Sequence, residues 1–362
     1  MWHVAPAHLS CVAEILAVSR LLPLMMLLLL PAVARAEAPP LAGCPGVQVR
    51  TGAAMGSKVV VRVCPKALGG DAEKAALAAA EQGFAEVGRL EGLWTTWSPD
   101  SDVSRISAAA GRTAIQVSQE TLDVLQVALS GSEASAGLFD VTFAPLGEVW
   151  RFDTPPGSHE PTKLARVPTV AEVKDRLNRV GWQHLHLDVK QHTAFLDKPA
   201  MAIHLGGIGK GAAVDRVVAL LRAQGFANFA VQAGGDLYCA GQNGARPWRV
   251  GIAHPRVKGE ILGSLDVHDA AFSTSGDYER FAIIDGHRYH HILDTRSGFP
   301  ADASQSVTAL VETATAAEVL TKTAFILGGQ AGLDFLQKQH ARGVIVDAQG
   351  KVWTSSELSV VP

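Results

Sequence analysis

Apolar and polar residues alternate weakly across residues 46–64 and end in "KVVVRVCP", a β-branched run that reads as a strand. The next segment, "DAEKAALAAAEQGFAEVGRLEGLW" (71–94), changes period. Its apolar residues fall near helical spacing behind Asp71 as a cap. "SQETLDVLQVALSGSEASAG" (118–137) repeats that form, with Ser118 opening a capping box and Gly137 suited to the end. "TTWSPDSDVSRIS" (95–107), between the two helices, is polar and reads as a loop. Residues 153–168, rich in Pro, Ser and charge, read as a surface insertion.

Further on, "HLHLDVKQHTAFLDKPAMAIHL" (184–205) predicts two or three strands joined by short turns. "GAAVDRVVALLRAQG" (211–225) predicts an amphipathic helix closed by Gly225. The strands of "FANFAVQAGGDLYCAG", "RPWRVGIAHP", "ILGSLDVHDAAFSTSG", "YERFAIIDGHRYHHIL" and "QSVTALVE" continue an antiparallel pattern, with Asp285-Gly286 as a hairpin turn. "TAAEVLTKTAFILGG" and "QAGLDFLQKQ" predict two more helices, and "RGVIVDAQ" and "VWTS" the last strands. Largely antiparallel strands mixed with long helices indicate an α+β fold rather than a doubly wound α/β one.

The 362 residues suffice for one large domain or two ordinary ones, and no composition shift or repeat marks a boundary. An apolar share of 48% against 19% charged residues supports a sizeable core and excludes a disordered chain. At a net charge of −3 there is no basic excess to suggest nucleic acid. The N-terminus is different in kind. Arg20 precedes "LLPLMMLLLL", and "PAVARA" (31–36) then offers small residues spaced as at a signal-peptidase site. Ten apolar residues rise only ~15 Å as a helix, too short for a ~30 Å hydrocarbon core. Residues 1–36 are therefore expected to be a cleaved export signal, with residues 37–362 the mature domain; the long mixed stretch before Arg20 leaves the true start codon open. "LAGC" (41–44) also has the form of a lipobox, which would make Cys44 a lipid anchor at the inner membrane. The competing expectation is a disulfide from Cys44 to Cys64, which flank the first hairpin, with Cys239 a buried free thiol. No CxxC or Cys/His cluster suggests zinc.

The densest chemical signal is "HLGGIGKGAAVD" (204–215). Gly207-Ile-Gly209-Lys-Gly-Ala212 fits the loose GxGxxA dinucleotide pattern, and Asp236 ends the following strand near the spacing of a ribose contact. The meander that follows argues against a second βαβ unit and so against a nicotinamide oxidoreductase. A tight strand-to-helix turn needs glycine for backbone reasons alone. Four glycines, Lys210 and a helix N-terminus together also suit an anionic, phosphorylated ligand.

Eight segments taken in order resemble one family, the ApbE-type FAD:protein FMN transferases. They are "AAMGS" (53–57), "TTWSPDSDVSRIS" (95–107), "GLFDVTFAPLGEVWRF" (137–152), "HLGGIGKGAAVDRV" (204–217), "AVQAGGDLYCAG" (230–241), "WRVGIAHP" (248–255), "STSGDYERF" (273–281) and "YHHILDTRSGFP" (289–300). The resemblance implies an exported periplasmic enzyme, often membrane-anchored, built as one T-fold-like catalytic unit. It would bind FAD and Mg²⁺, attach FMN through a phosphoester to a Thr or Ser of a partner flavoprotein, and release AMP. It assigns FAD contacts to Met55, Trp97, Leu138, Phe139, Asp140, His204, Lys210 and Leu293, and a general base to His291. For Met55 and His291 a purely structural role is an equal expectation.

Two departures bear on the chemistry. His204 stands where the family has aspartate. On the late helix Glu318 and Lys322 stand where the family has Asp and, four residues on, Thr, both facing Mg²⁺. Gly207, Glu318 and Thr321 remain as candidate metal ligands, but a lysine ammonium has only donors and cannot ligate. Either Lys322 takes the metal's place and neutralises the diphosphate, or it forms an ordinary i,i+4 pair with Glu318 and the site is weakened. A periplasmic FAD-binding protein that has lost the transfer step is the alternative function.

Overall fold

The computed structural model describes residues 43–360, apart from 153–159, 163, 165, 357 and 359. The expected export signal lies outside the described residues, as does part of the expected insertion at 153–168. A hairpin of β1 (Gln48–Ala54) and β2 (Ser57–Val63) opens the fold, followed by the long helix α1 (Gly70–Trp94). Then come α2 (Asp102–Ala108), the two-residue β3 (Ile115–Gln116), α3 (Gln119–Ala134), a 3-10 segment (Val141–Glu148) and α4 (Val170–Leu177). The hairpin β4 (Leu185–Asp188) and β5 (Thr193–Leu196) leads to α5 (Gly209–Ala223). Seven strands follow: β6 (Phe229–Ala233), β7 (Asp236–Ala240), β8 (Trp248–Ala253), β9 (Ile261–Val267), β10 (Ala270–Gly276), β11 (Phe281–Ile284) and β12 (His287–His290). The chain continues with β13 (Ser304–Val311), α6 (Ala314–Leu327), α7 (Gly329–Lys338), β14 (Arg342–Asp347) and β15 (Val352–Thr354).

Eight strands form the main sheet in the order β1-β2-β6-β7-β10-β13-β14-β15. Every neighbouring pair is antiparallel. The fold is α+β, and the strand order removes the parallel βαβ pair that a Rossmann site requires. The period-2 rule divides the sheet's two faces. Val59, Val61 and Val63 of β2 and Phe229, Val231 and Ala233 of β6 pack under α1 and α5 with Val87, Leu90 and Val217. The opposite face carries Ala230, Cys239 and Phe272, covered by Trp248, Ile252 and Leu265 of the β8–β9 ribbon. Helix α6 packs Leu320, Ala324 and Phe325 with Val307 and Ala309 of β13 in a second core.

Most predicted elements are present, with local corrections. Asp71 lies inside the first turn of α1 and Gly69 caps it. Ser118 Oγ accepts from Thr121 N, but no capping box forms, because the third helical residue is Thr121 and not Glu or Gln. Half of the loop expected at 95–107 is the helix α2, capped by Ser101. Segment 184–205 holds two strands. Helix α4 was not expected, although Thr169 and Glu172 form a full capping box at its start. The Asp285-Gly286 turn is as expected, with φ of 51° and 78°.

Cys44 is disulfide-bonded to Cys64 and Cys239 is a buried free thiol. A sulfur so bonded has no valence left for a lipid thioether. Among the described residues no helix is long and apolar enough to cross a membrane.

Candidate active site

The loop 201–208 carries the glycine-rich stretch into α5, which starts beside the start of α6. The approach is close: a Cβ on Gly211 would lie 2.4 Å from the Ala314 carbonyl oxygen. That glycine answers to helix packing, not to a ligand. The two helices also exchange carboxylates. Glu318 of α6 accepts from Gly211 N at 2.8 Å, while Asp215 of α5 accepts from Ala314 N and Thr315 N, each at 2.8 Å. Each helix thus satisfies amides that the other leaves unpaired in its first turn.

Around Glu318 four charged side chains converge. Lys210 Nζ binds Glu318 Oε1 and meets Asp236 Oδ2 at 3.0 Å, an ion pair outside hydrogen-bond alignment. Lys322 Nζ lies 3.2 Å from Glu318 Oε1. Asp236 begins β7 rather than ending a strand, and its Oδ1 accepts from Ser273 Oγ at 2.6 Å. Burial pushes the Glu318 carboxyl up, but the charges of Lys210 and then Lys322 outweigh it and hold the group below the usual range. Burial acts to lower Lys210; Asp236 and Glu318 reverse this and raise it. Burial and the charge of Glu318 raise Asp236. Burial lowers Lys322, and Glu318 and Asp236 offset this only in part. The cluster holds two cations against two anions.

Two histidines feel the charges of this cluster. His291 Nδ1 faces the Arg280 carbonyl at 3.3 Å, and since a carbonyl only accepts, Nδ1 carries the proton. Its Nε2 therefore presents a lone pair. Burial, then His290 and Arg280, push this imidazole down to about 3. In His204 the arrangement is reversed: Nδ1 accepts from Gly206 N at 2.9 Å, so Nε2 is a donor. Burial, then Arg280 and Lys210, lower His204. Arg280 acts on both rings, Lys210 on His204 and Lys322 on His291.

The other candidates surround it unevenly. Met55 sits in the β1–β2 turn with φ of 52°, its amide held by Glu91 Oε1 at 2.7 Å. Its side chain reaches the start of α5 at Gly209 and packs partly against the main core. Phe139 is buried against Gly207, and Leu138 is buried in the second core. Asp140 spends both oxygens on protein: Oδ1 on Thr142 N and Oγ1, each at 2.7 Å, and Oδ2 on Trp182 N at 2.8 Å. Burial raises its pKa, and its role here is to cap the 3-10 segment. Leu293 is half-buried in a small aromatic cluster with Trp150 and Phe299. Trp97 is 93% exposed and touches none of this. Arg280 was not singled out in the sequence. It is exposed, is held only by a 3.4 Å bond to the Gly56 carbonyl among the described residues, and places its charge on both histidines.

The expected metal ligands do not fit a divalent ion. Glu318 Oε1 accepts from Lys210 and is ion-paired with Lys322 at 3.2 Å, and Oε2 accepts from Gly211 N. Thr321 Oγ1 donates to Glu318 O at 3.0 Å and accepts from Ser275 Oγ at 2.9 Å, tying α6 to β10. A doubly charged ion about 4 Å from a single ammonium would be repelled by roughly 8 kcal/mol at an effective dielectric near 20. Among the described residues no three His, Cys, Asp or Glu side chains converge as a metal site.

A FAD:protein FMN transferase of Klebsiella pneumoniae (strain 342) is 33% identical over 264 residues, covering 72% of this chain and 79% of its own. The ApbE protein of Thermotoga maritima superposes with a TM-score of 0.76 at 28% identity, over 86% of this chain and 97% of its own. The flavin transferase ApbE of Vibrio cholerae does so with a TM-score of 0.73 at 26% identity and the same coverages. A family model described as the ApbE family matches residues 55–346, and the chain belongs to that family.

Proposed function

We propose that this chain is a FAD:protein FMN transferase whose reaction runs in the cleft above the Lys210–Asp236–Glu318–Lys322 cluster. The observation that carries the reading is the pairing of a lysine-bearing, glycine-walled helix start with a neutral histidine whose Nε2 has no hydrogen-bond partner among the described residues. The ammonium N–H groups and the Arg280 charge face the diphosphate oxygens, and a lone pair at hydrogen-bond reach takes a proton from an attacking hydroxyl.

In this reading a Thr or Ser hydroxyl of the acceptor flavoprotein attacks the phosphorus on the FMN side of FAD. The new P–O ester forms as the bond from that phosphorus to the bridging oxygen breaks. AMP departs with the bridging oxygen, and the hydroxyl proton passes to His291 Nε2. Lys210 and Arg280 face the charge on the phosphates, and His204 offers its Nε2–H to an oxygen of the nucleotide. Met55 and Phe139 line the apolar side. The Cys44–Cys64 bond supports an exported, periplasmic setting, since disulfides persist in oxidising compartments.

The test mixes purified chain, FAD and a threonine-bearing acceptor peptide. A mass increase of the peptide by one FMN unit, matched by AMP release, is expected. Bound FAD with neither product would reduce the protein to a flavin carrier.

A further inference from the structure

We propose that the Lys322 ammonium acts as the chain's own cation at the diphosphate, so that FAD is taken up and cleaved without a divalent metal. This rests on the transferase reading and specifies how its charge is supplied. The position is set by the helix. Lys322 lies one turn beyond Glu318 on α6, and its Nζ sits 3.2 Å from Glu318 Oε1, beside the very carboxylate that would have to ligate an ion. Glu318 is fully buried and its oxygens are shared among two ammoniums and the Gly211 amide. An incoming ion would have to displace an ammonium to reach it.

The charge count agrees. Lys210 and Lys322 balance Asp236 and Glu318, so the carboxylates are neutralised without help from solution. Lys322 is not sealed in: its side chain keeps 19% exposure. An ammonium has three N–H donors, and those not turned to Glu318 can meet phosphate oxygens. Its charge is also felt at His291, the group that receives the proton in this reading. The ammonium therefore occupies the place where an ion would serve, holds the same carboxylate, and offers positive charge to the cleft.

The experiment uses the full purified chain with three readouts: FAD affinity by flavin fluorescence, Mn²⁺ binding by electron paramagnetic resonance, and AMP release with a threonine peptide. Wild-type FAD affinity is expected to agree within about twofold in EDTA and in Mg²⁺, with no stoichiometric Mn²⁺ bound. Lys322→Thr should lose about tenfold or more in FAD affinity in EDTA, recover it with Mg²⁺, and bind Mn²⁺. Lys322→Met keeps the side-chain volume, guards against misfolding of the threonine variant, and should show the loss without the metal rescue. Wild-type protein that binds one Mn²⁺ tightly, or needs Mg²⁺ to take up FAD, overturns the proposal. Metal-independent FAD uptake with no AMP release in either medium would defeat the transferase reading, and metal-free cleavage with it, while leaving Lys322 as the cation of FAD uptake.

Discussion

His204 and His291 hold their protons on opposite nitrogens, and each is fixed by one backbone group: a Gly206 amide that donates and an Arg280 carbonyl that accepts. One ring is a donor at Nε2 and the other an acceptor there. The lowered pKa of His291 sets a pH signature. A base is competent above its pKa, so lowering the pKa from the usual 6.5 extends competence toward acid. The rate, kcat/KM, is expected to stay level from about pH 8 down to about pH 5, where an ordinary histidine would already be protonated. An acid limb centred near the ordinary histidine value would show that the base is not held down by burial. His291→Ala should lower kcat by roughly 10²–10⁴ while leaving FAD affinity nearly unchanged. A parallel loss of affinity would assign the ring to binding instead.

At the scale of elements, the α5–α6 contact depends on the missing side chain of Gly211. Alanine there gains up to about 1 kcal/mol in helix propensity. Its Cβ would meet the Ala314 carbonyl at 2.4 Å, which cannot yield without moving α6. Gly211→Ala is expected to cost about 1–3 kcal/mol net of that gain in urea unfolding. Gly88→Ala in α1, where the Cβ would meet nothing within 4 Å, should instead stabilise by about 0.5–1 kcal/mol. Long elements were legible in the sequence because they carry whole periods, as in the apolar spacing of 71–94, and the hairpin at Asp285-Gly286 was legible from its turn residues. The seven residues of α2 are too few to display a period. Helix α4 had a capping box to announce it, but the Pro-rich stretch before it drew the reading toward loop. The site was legible where one helix holds the parts, as with Glu318 and Lys322. It was not legible where strand order brings parts together: Asp236 reaches Lys210, and Arg280 reaches His204, only through the sheet's connectivity.

At the scale of the molecule, β1 is an edge strand, and the Cys44–Cys64 bond clamps the hairpin that carries it and the Met55 turn. The two cysteines are 20 residues apart. Closing a loop of that size stabilises by about 3 kcal/mol, mainly by restricting the unfolded chain. Cys64→Ser is expected to lose about that much, and reductant should lower the wild type to the variant's level while leaving the variant unmoved. Equal response of both proteins to reductant would locate the effect elsewhere. The crossed carboxylates of Asp215 and Glu318 have a reach of their own. Fraying at either helix start robs the other of its acceptor, so the two starts open together or stay shut. The junction of the two helices is in this sense a latch with two tongues, each held shut by the other.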